Sequence, residues 1–251
     1  MQLVCLGTTG FHPNARRQTA SFVIPEVGVV LDAGTGLFRL ADYLATDGVD
    51  IFLSHAHLDH VSGLTYLVET FGVEAHDRVT IHARSEVLDA VRNHLFAPAI
   101  FPVPPGYQFA ELGKSCVLPA NNEGKTGTLT TFPLTHPGGS TGMRLDWPGH
   151  SLAYVTDTTA SDEADYIDTI RGADLLVHEA NFPASYDQMA ELTGHSCLDK
   201  VVAVAQAAEV GRLVITHVDP LLTKEEDFDL TAFRKQLASI TIAEDLDVQE
   251  F

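Results

Sequence analysis

The sequence predicts an α/β protein in which strands and helices form layers. Short runs rich in Val, Ile, Leu and Phe, as strands prefer, alternate along the chain with longer amphipathic stretches. No linker-like stretch divides the 251 residues. A chain of this length can form one large domain or two small ones. We therefore expect one domain that spans residues 1–251.

Ten apolar runs have the length and composition of strands. Five lie in the first half of the chain, at 2–6, 21–25, 29–33, 50–54 and 79–83. Five lie in the second half, at 128–134, 142–147, 151–157, 173–179 and 212–218. Since every run is followed by a turn or by an amphipathic stretch, the pattern indicates strands distributed over the whole chain.

Five amphipathic stretches are predicted to be helices, at 36–46, 59–71, 85–96, 162–171 and 197–209. In the first of them, Leu37, Leu40 and Leu44 recur at the i, i+3, i+7 spacing of one helical face. The segment 98–106 holds four prolines and cannot form a regular helix. With its apolar residues it is either a hydrophobic lid or a packed surface loop.

The composition bears on possible partners. The net charge is −19, from 34 acidic and 15 basic residues, and the basic residues are scattered. Nucleic-acid binding depends on clustered cations, so we expect no large nucleic-acid footprint, while a small phosphate substrate remains compatible with the charge. The N-terminus lacks the pattern of a signal peptide, and no run approaches the roughly 20 apolar residues of a membrane span. We therefore expect a cytoplasmic protein without membrane contact.

Residues that can bind metal follow five of the apolar runs. His55, His136, Asp157, the pair His178-Glu179 and His217 each stand at the end of such a run. A strand that is buried on both faces can present functional groups only at its end. If these strands lie side by side, their ends converge at one edge, where layered α/β proteins commonly bind ligands.

The segment after the fourth predicted strand holds four potential ligands within six residues, namely His55, His57, Asp59 and His60. His55 and His57 share a face in an extended segment, and Asp59 and His60 follow where the chain turns into a helix. One short segment can thus serve two metal ions. Imidazole and carboxylate suit zinc first, and manganese or iron next.

This His55-Ala56-His57-Leu58-Asp59-His60 segment resembles the HxHxDH signature of the metallo-β-lactamase superfamily. Other segments resemble the ribonuclease Z-like phosphodiesterase branch of that superfamily in order and spacing, across roughly residues 3 to 220. They are Leu6–Gly10, Leu31–Gly34, Val155–Thr158, His178–Phe182, Gly194–Ser196 and Thr216–Val218.

The resemblance implies a four-layer αβ/βα sandwich, with two facing mixed sheets and helices outside. The boundary between its two similar halves would fall near residues 120–130. The branch often forms dimers, so a homodimer is an expectation of the resemblance alone.

The resemblance also implies two divalent metal ions, with zinc expected and manganese or iron as alternatives. One ion would be held by His55, His57 and His136, the other by Asp59, His60 and His217, and Asp157 would bridge both. A hydroxide between the ions would be the nucleophile, because two metals lower the pKa of water and stabilise charge on phosphoryl oxygens.

Asp59 and His195 take catalytic roles by resemblance, and His178 and Glu179 are candidates for a supporting role. Asp59 would also orient the hydroxide, and His195 would contact the phosphate or protonate the leaving oxygen. Glu179 and its neighbour His178 are expected to orient a ligand imidazole rather than to bind metal directly.

These residues favour a phosphodiesterase that acts on small or cyclic phosphodiesters. The interval from His136 to Asp157 is too short for the long arm with which ribonuclease Z grips tRNA, and Cys197 replaces a threonine of the family pattern. Two alternatives stay open. One is a tRNA 3′-processing endoribonuclease, and the other is a thioester or lactone hydrolase on the same metal core, in which no equivalent of His195 is expected.

Overall fold

A computed structural model describes residues 1–221 and 228–251 of the chain. In this part of the chain the first seven strands are β1 (Gln2–Gly7), β2 (Ser21–Ile24), β3 (Val29–Ala33), β4 (Val49–Phe52), β5 (Val79–Ala83), β6 (Gln108–Glu111) and β7 (Ser115–Ala120). The remaining strands are β8 (Thr126–Leu134), β9 (Ser140–Trp147), β10 (His150–Val155), β11 (Leu175–Glu179), β12 (Leu213–Thr216), β13 (Ile240–Ile242) and β14 (Val248–Glu250).

The α-helices are α1 (Leu58–Val61), α2 (Leu67–Phe71), α3 (Ser85–Ala90), α4 (Ile167–Ile170), α5 (Asp187–Thr193) and α6 (Leu198–Ala207). Turns of 3-10 helix lie at Pro25–Val27, Thr35–Asp42, Ser62–Tyr66 and Phe233–Lys235, and a π-helical turn at Val91–Leu95 extends α3. Within the described residues, no helix is long and apolar enough to cross a membrane.

The strands form two seven-stranded sheets with matching organisation. The order is β14-β1-β2-β3-β4-β5-β6 in the first sheet and β13-β12-β11-β10-β9-β8-β7 in the second. In the first sheet β3 to β6 run parallel and the other pairs antiparallel, while in the second β10 to β13 run parallel and the other pairs antiparallel. Both sheets are therefore mixed, as expected.

Three apolar clusters account for the layers. One lies between the sheets and includes Phe22, Phe52 and Tyr154, all of which are buried. The opposite faces of the sheets pack against the helices, with Leu37 and Leu64 in the cluster of the first sheet and Val201 in that of the second. Because strand side chains alternate between faces, strands covered on both sides are apolar throughout. The predicted four-layer αβ/βα sandwich is confirmed.

The predicted boundary between the halves, at residues 120–130, is wrong. The chain leaves the first sheet with β6, which ends at Glu111, and enters the second with β7, which begins at Ser115. It later returns, since β14 pairs with β1. Both β6 and β7 are edge strands with mostly exposed or half-buried residues, so they lack the apolar run that identified the inner strands.

The predicted helices are shorter than expected. The stretch 59–71 is divided into α1, a 3-10 turn and α2, and a Cβ added at Gly63 would lie 2.1 Å from the carbonyl oxygen of Gly34. This close approach requires glycine and draws the metal-binding segment against the end of β3. The stretch 36–46 is 3-10 helix over Thr35–Asp42, and only Ile167–Ile170 of 162–171 is α-helical.

The proline-rich segment 98–106 is packed on the core at one point and exposed elsewhere. Phe101 packs edge-on against buried Phe96, with ring centroids 5.2 Å apart, so one part of the segment is anchored on the core. Ile100 and Val103 are 73% and 63% exposed, so its outer face is apolar and accessible.

Candidate metal centre

The site forms where five strands of the two sheets end. Asp32 lies near the end of β3, His55 follows β4, Asp157 follows β10, Glu179 ends β11 and His217 follows β12. Three of these residues are left-handed, with φ of 55° at Asp32, 51° at Asp157 and 54° at His217. Such a conformation costs a non-glycine residue of order 1–3 kcal/mol and is concentrated at functional sites. The rest of the fold therefore holds these side chains in place against local strain.

Two groups of side chains converge at this edge, each with its potential ligand atoms within 4.8 Å of one another. The first group consists of His55, His57, His136 and Asp157, and the second of Asp59, His60 and His217. A third set, Asp157, His195 and His217, overlaps both groups. The structure thus brings together all seven residues that the sequence analysis assigned to metal, with His195 beside them.

Asp157 lies between the two groups and presents one carboxylate oxygen to each. Its Oδ2 is 3.5 Å from Nε2 of His55 and 3.4 Å from Nε2 of His136. Its Oδ1 is 3.2 Å from Nε2 of both His60 and His217. This carboxylate is placed to contact ions in both groups.

Hydrogen bonds to the far ring nitrogens set the orientation of three histidines. Nδ1 of His60 donates to Oδ2 of Asp32 at 2.8 Å, and Nδ1 of His136 donates to the carbonyl oxygen of Gly194 at 2.8 Å. Nδ1 of His55 lies 2.9 Å from Oγ of Ser54. In each ring Nε2 is thereby left as the acceptor, which is the arrangement that metal-binding histidines use.

The donor set fits divalent cations. Nε2 of His55 is buried without a hydrogen-bond partner, although it points at Asp157. Ring nitrogens also face one another, at 3.1 Å between Nε2 of His60 and of His217 and at 3.3 Å between Nδ1 of His57 and Nε2 of His136. A divalent ion satisfies such converging imidazole and carboxylate atoms, and the set suits zinc among other ions.

The electrostatics of the cluster also favour bound cations. Burial alone would raise the pKa of Asp157, but His217, His60 and His55 hold it well below its usual range. Burial alone would lower the pKa of His60, but Asp157, Asp59 and Asp32 hold it well above its usual range. Burial lowers the pKa of His55, which keeps that ring in the neutral form that binds metal. Positive charge at the centre of the cluster therefore stabilises its ionised carboxylates.

Beside the two groups, His195 is held by Glu179. Oε1 of Glu179 accepts from Nδ1 of His195 at 3.1 Å and from the amide of Thr158 at 2.9 Å. Its Oε2 accepts from the amides of Asn181 and Ser196. Burial alone would lower the pKa of His195, but the Glu179 carboxylate raises it to about 9. The His195 ring centroid is 5.1 Å from that of His136 and 5.3 Å from that of His217.

Two expectations about this region need correction. Glu179 orients His195 and the backbone that follows Asp157, rather than the imidazole of an assigned ligand. His178 is fully buried, with Nε2 bonded to the hydroxyl of Tyr166 and Nδ1 to the carbonyl oxygen of Glu179. Strand alternation explains the position of His178. Consecutive residues of β11 point to opposite faces, so only Glu179 can face the site.

The sequence analysis missed several supports of the site. The hydroxyl of Tyr154, the residue before the last of β10, donates to Oδ2 of Asp32 at 2.7 Å. The amide of Phe11 donates to Oδ2 of Asp59 at 2.7 Å. A Cβ added at Gly10 would lie 2.3 Å from Cε1 of His217, so only glycine fits there. The glycine turn was visible in the sequence, whereas no local signal marks Tyr154 or the Phe11 amide.

Comparison with known proteins places this geometry in a family. A family model described as a beta-lactamase superfamily domain matches residues 28–218, and the chain belongs to that family. Among relatives, a ribonuclease Z of Methanosarcina acetivorans is 23% identical, with 98% of this chain and 96% of the relative covered. A ribonuclease Z of Halobacterium salinarum is 27% identical, with 87% of each chain covered.

Solved structures have the same fold. The metallo-β-lactamase fold protein YhfI from Bacillus subtilis superposes with a TM-score of 0.79 at 22% identity, covering 99% of each chain. Human tRNase Z, short form, superposes with a TM-score of 0.74 at 20% identity, covering 100% of this chain and 99% of that chain. The protein is thus a metal-dependent hydrolase of the metallo-β-lactamase superfamily, and its sequence is similar to those of ribonuclease Z proteins. The names of these relatives do not support the expectation that a large nucleic-acid partner is absent.

Proposed function

We propose that the protein is a phosphodiesterase with a dinuclear metal centre, in which zinc is the expected metal. The observation that carries the proposal is the position of Asp157, whose two carboxylate oxygens face two separate groups of ligands at 3.2 to 3.5 Å. A carboxylate shared in this way is the arrangement that a two-metal site requires. In the first group we assign His55, His57 and His136, and in the second Asp59, His60 and His217.

A pair of divalent ions, when bound, lowers the pKa of water and stabilises the charge that develops on phosphoryl oxygens. The remaining steps belong to side chains. Asp59 is fixed by the Phe11 amide and lies 3.3 Å from Nε2 of His217. From this position it can orient the attacking water.

His195 is the residue that we assign to the leaving group. Its Nδ1 is engaged by Glu179, so the proton available for transfer is the one on Nε2. Because Glu179 raises the pKa of His195, the ring is protonated at neutral pH and can donate to the departing oxygen. This pair also favours a phosphodiesterase over the thioester or lactone hydrolase, in which no equivalent of His195 is expected.

Two substrate classes fit this chemistry, and a separate observation favours each. The relatives named ribonuclease Z favour the 3′ end of a tRNA precursor. The net charge of −19 favours a small phosphodiester, as does the short β8–β9 connection that carries His136. In addition, the alignment with the Methanosarcina acetivorans relative runs over 308 positions, so that relative contains stretches that this chain of 251 residues lacks.

The first experiment measures hydrolysis of bis(p-nitrophenyl) phosphate by zinc- or manganese-loaded protein, together with metal content by mass spectrometry. We expect turnover and two ions per chain, with both reduced in Asp157→Ala. Asp77→Asn is the matched control, because Asp77 is an exposed carboxylate just before β5, at the opposite edge of the sheet. Loaded protein that binds two ions and cleaves thioesters but no phosphodiester would contradict the proposal.

A second experiment separates the substrate classes. The loaded protein is given a tRNA precursor with a 3′ extension and, separately, a 2′,3′-cyclic nucleotide at the same concentration. Precursor cleavage with the higher kcat/KM would establish RNA processing as the activity. A higher kcat/KM for the cyclic nucleotide would establish the small-substrate reading.

A further inference from the structure

An open cleft of about 670 Å³ is lined by none of the assigned metal ligands and has no part in the chemistry described above. Its aromatic lining comes from Phe38, Tyr66 and Phe101. Its polar groups come from Gln18, Thr35 and Glu69. A volume of roughly 300–1,000 Å³ with mostly apolar walls and a few polar groups is typical of small-molecule sites.

Two residues of the lining are next or nearly next in sequence to residues that contact Asp59 of the second group. Pro13, which lines it, is two residues from Phe11, whose amide bonds to Asp59. Thr35, which also lines it, follows Gly34, and a Cβ added at Gly34 would lie 2.3 Å from the carbonyl oxygen of Asp59. At about 3.8 Å per residue, the near wall lies within about 10 Å of the Asp59 carboxylate. A nucleoside joined to a phosphate at the metal centre can span that distance.

The lining selects for an uncharged aromatic group. The residues that line the cleft in the described part of the chain include Glu69 and no Lys or Arg, so the cleft offers nothing to a phosphate. Phe38 is 57% exposed and Tyr66 is 39% exposed, which leaves large ring surfaces free for contact. The amide of Gln18 both donates and accepts hydrogen bonds, as the edge of a nucleobase does.

The ring of Phe38 has a cationic neighbour. The guanidinium of Arg39 lies 5.1 Å from the ring centroid of Phe38 and is itself bonded to the carbonyl oxygen of Leu6 and to Asp245. Bases stack on exposed aromatic rings in single-stranded nucleic-acid sites.

We infer that this cleft is a nucleobase subsite, which receives the base of the nucleotide next to the cleaved phosphodiester. The inference rests on the proposed function for the identity of the substrate. It adds that the substrate places a base on the Asp59 side of the metal centre. Aromatic stacking, rather than positive charge, recognises that base. The same subsite would serve an RNA end and a small nucleotide.

The test measures binding, so that it does not depend on turnover. Calorimetric titration of the zinc-loaded protein compares adenosine 5′-monophosphate with ribose 5-phosphate, which lacks the base. We expect the nucleotide to bind more tightly, and Phe38→Ala to weaken its binding by about ten-fold, as loss of one stacking partner does. Binding of ribose 5-phosphate should not change. Val117→Ala is the control, because Val117 is 75% exposed on β7 of the other sheet.

Equal affinity for the two ligands would overturn the inference, as would equal losses for both in Phe38→Ala. Sedimentation of the same variants examines another occupant. If the wild-type protein is a dimer and Phe38→Ala is a monomer, a second copy of the chain covers the cleft and the inference fails. Base-dependent binding in a protein that hydrolyses no phosphodiester would support the subsite and refute the proposed function, so the two failures are distinguishable.

Discussion

Asp32 and His60 form a fully buried hydrogen bond in which Nδ1 of His60 donates to Oδ2 of Asp32 at 2.8 Å. The same carboxylate accepts from the amide and hydroxyl of Ser54 and from the hydroxyl of Tyr154. Asp32 therefore joins the end of β3, the metal-binding segment and the second sheet. Since these donors fix the carboxylate, the carboxylate in turn fixes the ring of His60.

Replacing Asp32 by Asn should weaken metal binding in the second group. Asn tolerates the left-handed backbone at this position, so the fold should survive. The amide is a weaker acceptor, and loss of such a partner typically costs 10–100-fold in metal affinity. Competition with a chromophoric chelator would measure the zinc affinity of each group, and we expect the second to lose about ten-fold or more.

A matched control for Asp32→Asn is available in the same sheet. Oδ1 of Asp50 lies 2.7 Å from Nε2 of His82, which is also an Asp–His pair but belongs to neither ligand group. Asp50→Asn should leave both zinc affinities unchanged. If Asp32→Asn lowered the zinc affinity of both groups by the same factor, Asp32 would support the fold as a whole rather than His60.

Removal of metal should destabilise the protein. In the metal-free state the positive charge beside the carboxylates of Asp157 and Asp59 comes from neighbouring histidines rather than from divalent ions. A ligand held at about 100 times its Kd contributes about 2.7 kcal/mol, and 1 kcal/mol shifts the Tm of a chain of this size by about 2–4 °C. We expect a chelator to lower the Tm by about 5–10 °C in scanning calorimetry. The shift should be much smaller in Asp157→Ala, and an equal shift would contradict the assigned bridge.

Substitution of Glu179 should change the pH dependence of hydrolysis of a phosphodiester with an alkoxide leaving group. Glu179 raises the pKa of His195, and an acid catalyst is active only below its pKa. Glu179→Gln removes the charge, so the pKa of His195 falls and the alkaline limb of the kcat profile should move to lower pH. An unchanged profile with a uniformly lower rate would indicate that Glu179 only supports the backbone at Thr158 and Ser196.

The sequence predicted the centre of the fold and site better than their edges. Strands buried on both faces, such as β3 and β11, leave a continuous apolar run, and a ligand at the end of each run is visible without any knowledge of pairing. The edge strands β6, β7, β13 and β14 are short or half-exposed, so pairing rather than composition makes them strands. The hydrogen bond between Glu179 and His195 joins residues 16 positions apart, so no local sequence pattern predicts it.

The role of His195 makes the last prediction, which concerns the leaving group. A p-nitrophenolate departs without a proton, whereas the alkoxide of a nucleoside needs one from an acid such as His195. His195→Gln should therefore reduce kcat by a factor of about 10² to 10⁴ for an alkoxide leaving group. For bis(p-nitrophenyl) phosphate the reduction should be only a few-fold. His94→Gln is the control, because His94 is an exposed residue of the π-helical turn. Equal losses for both substrates would mean that His195 binds the phosphate rather than protonating the leaving oxygen. A contact to the phosphate affects both substrates alike, whatever their leaving group.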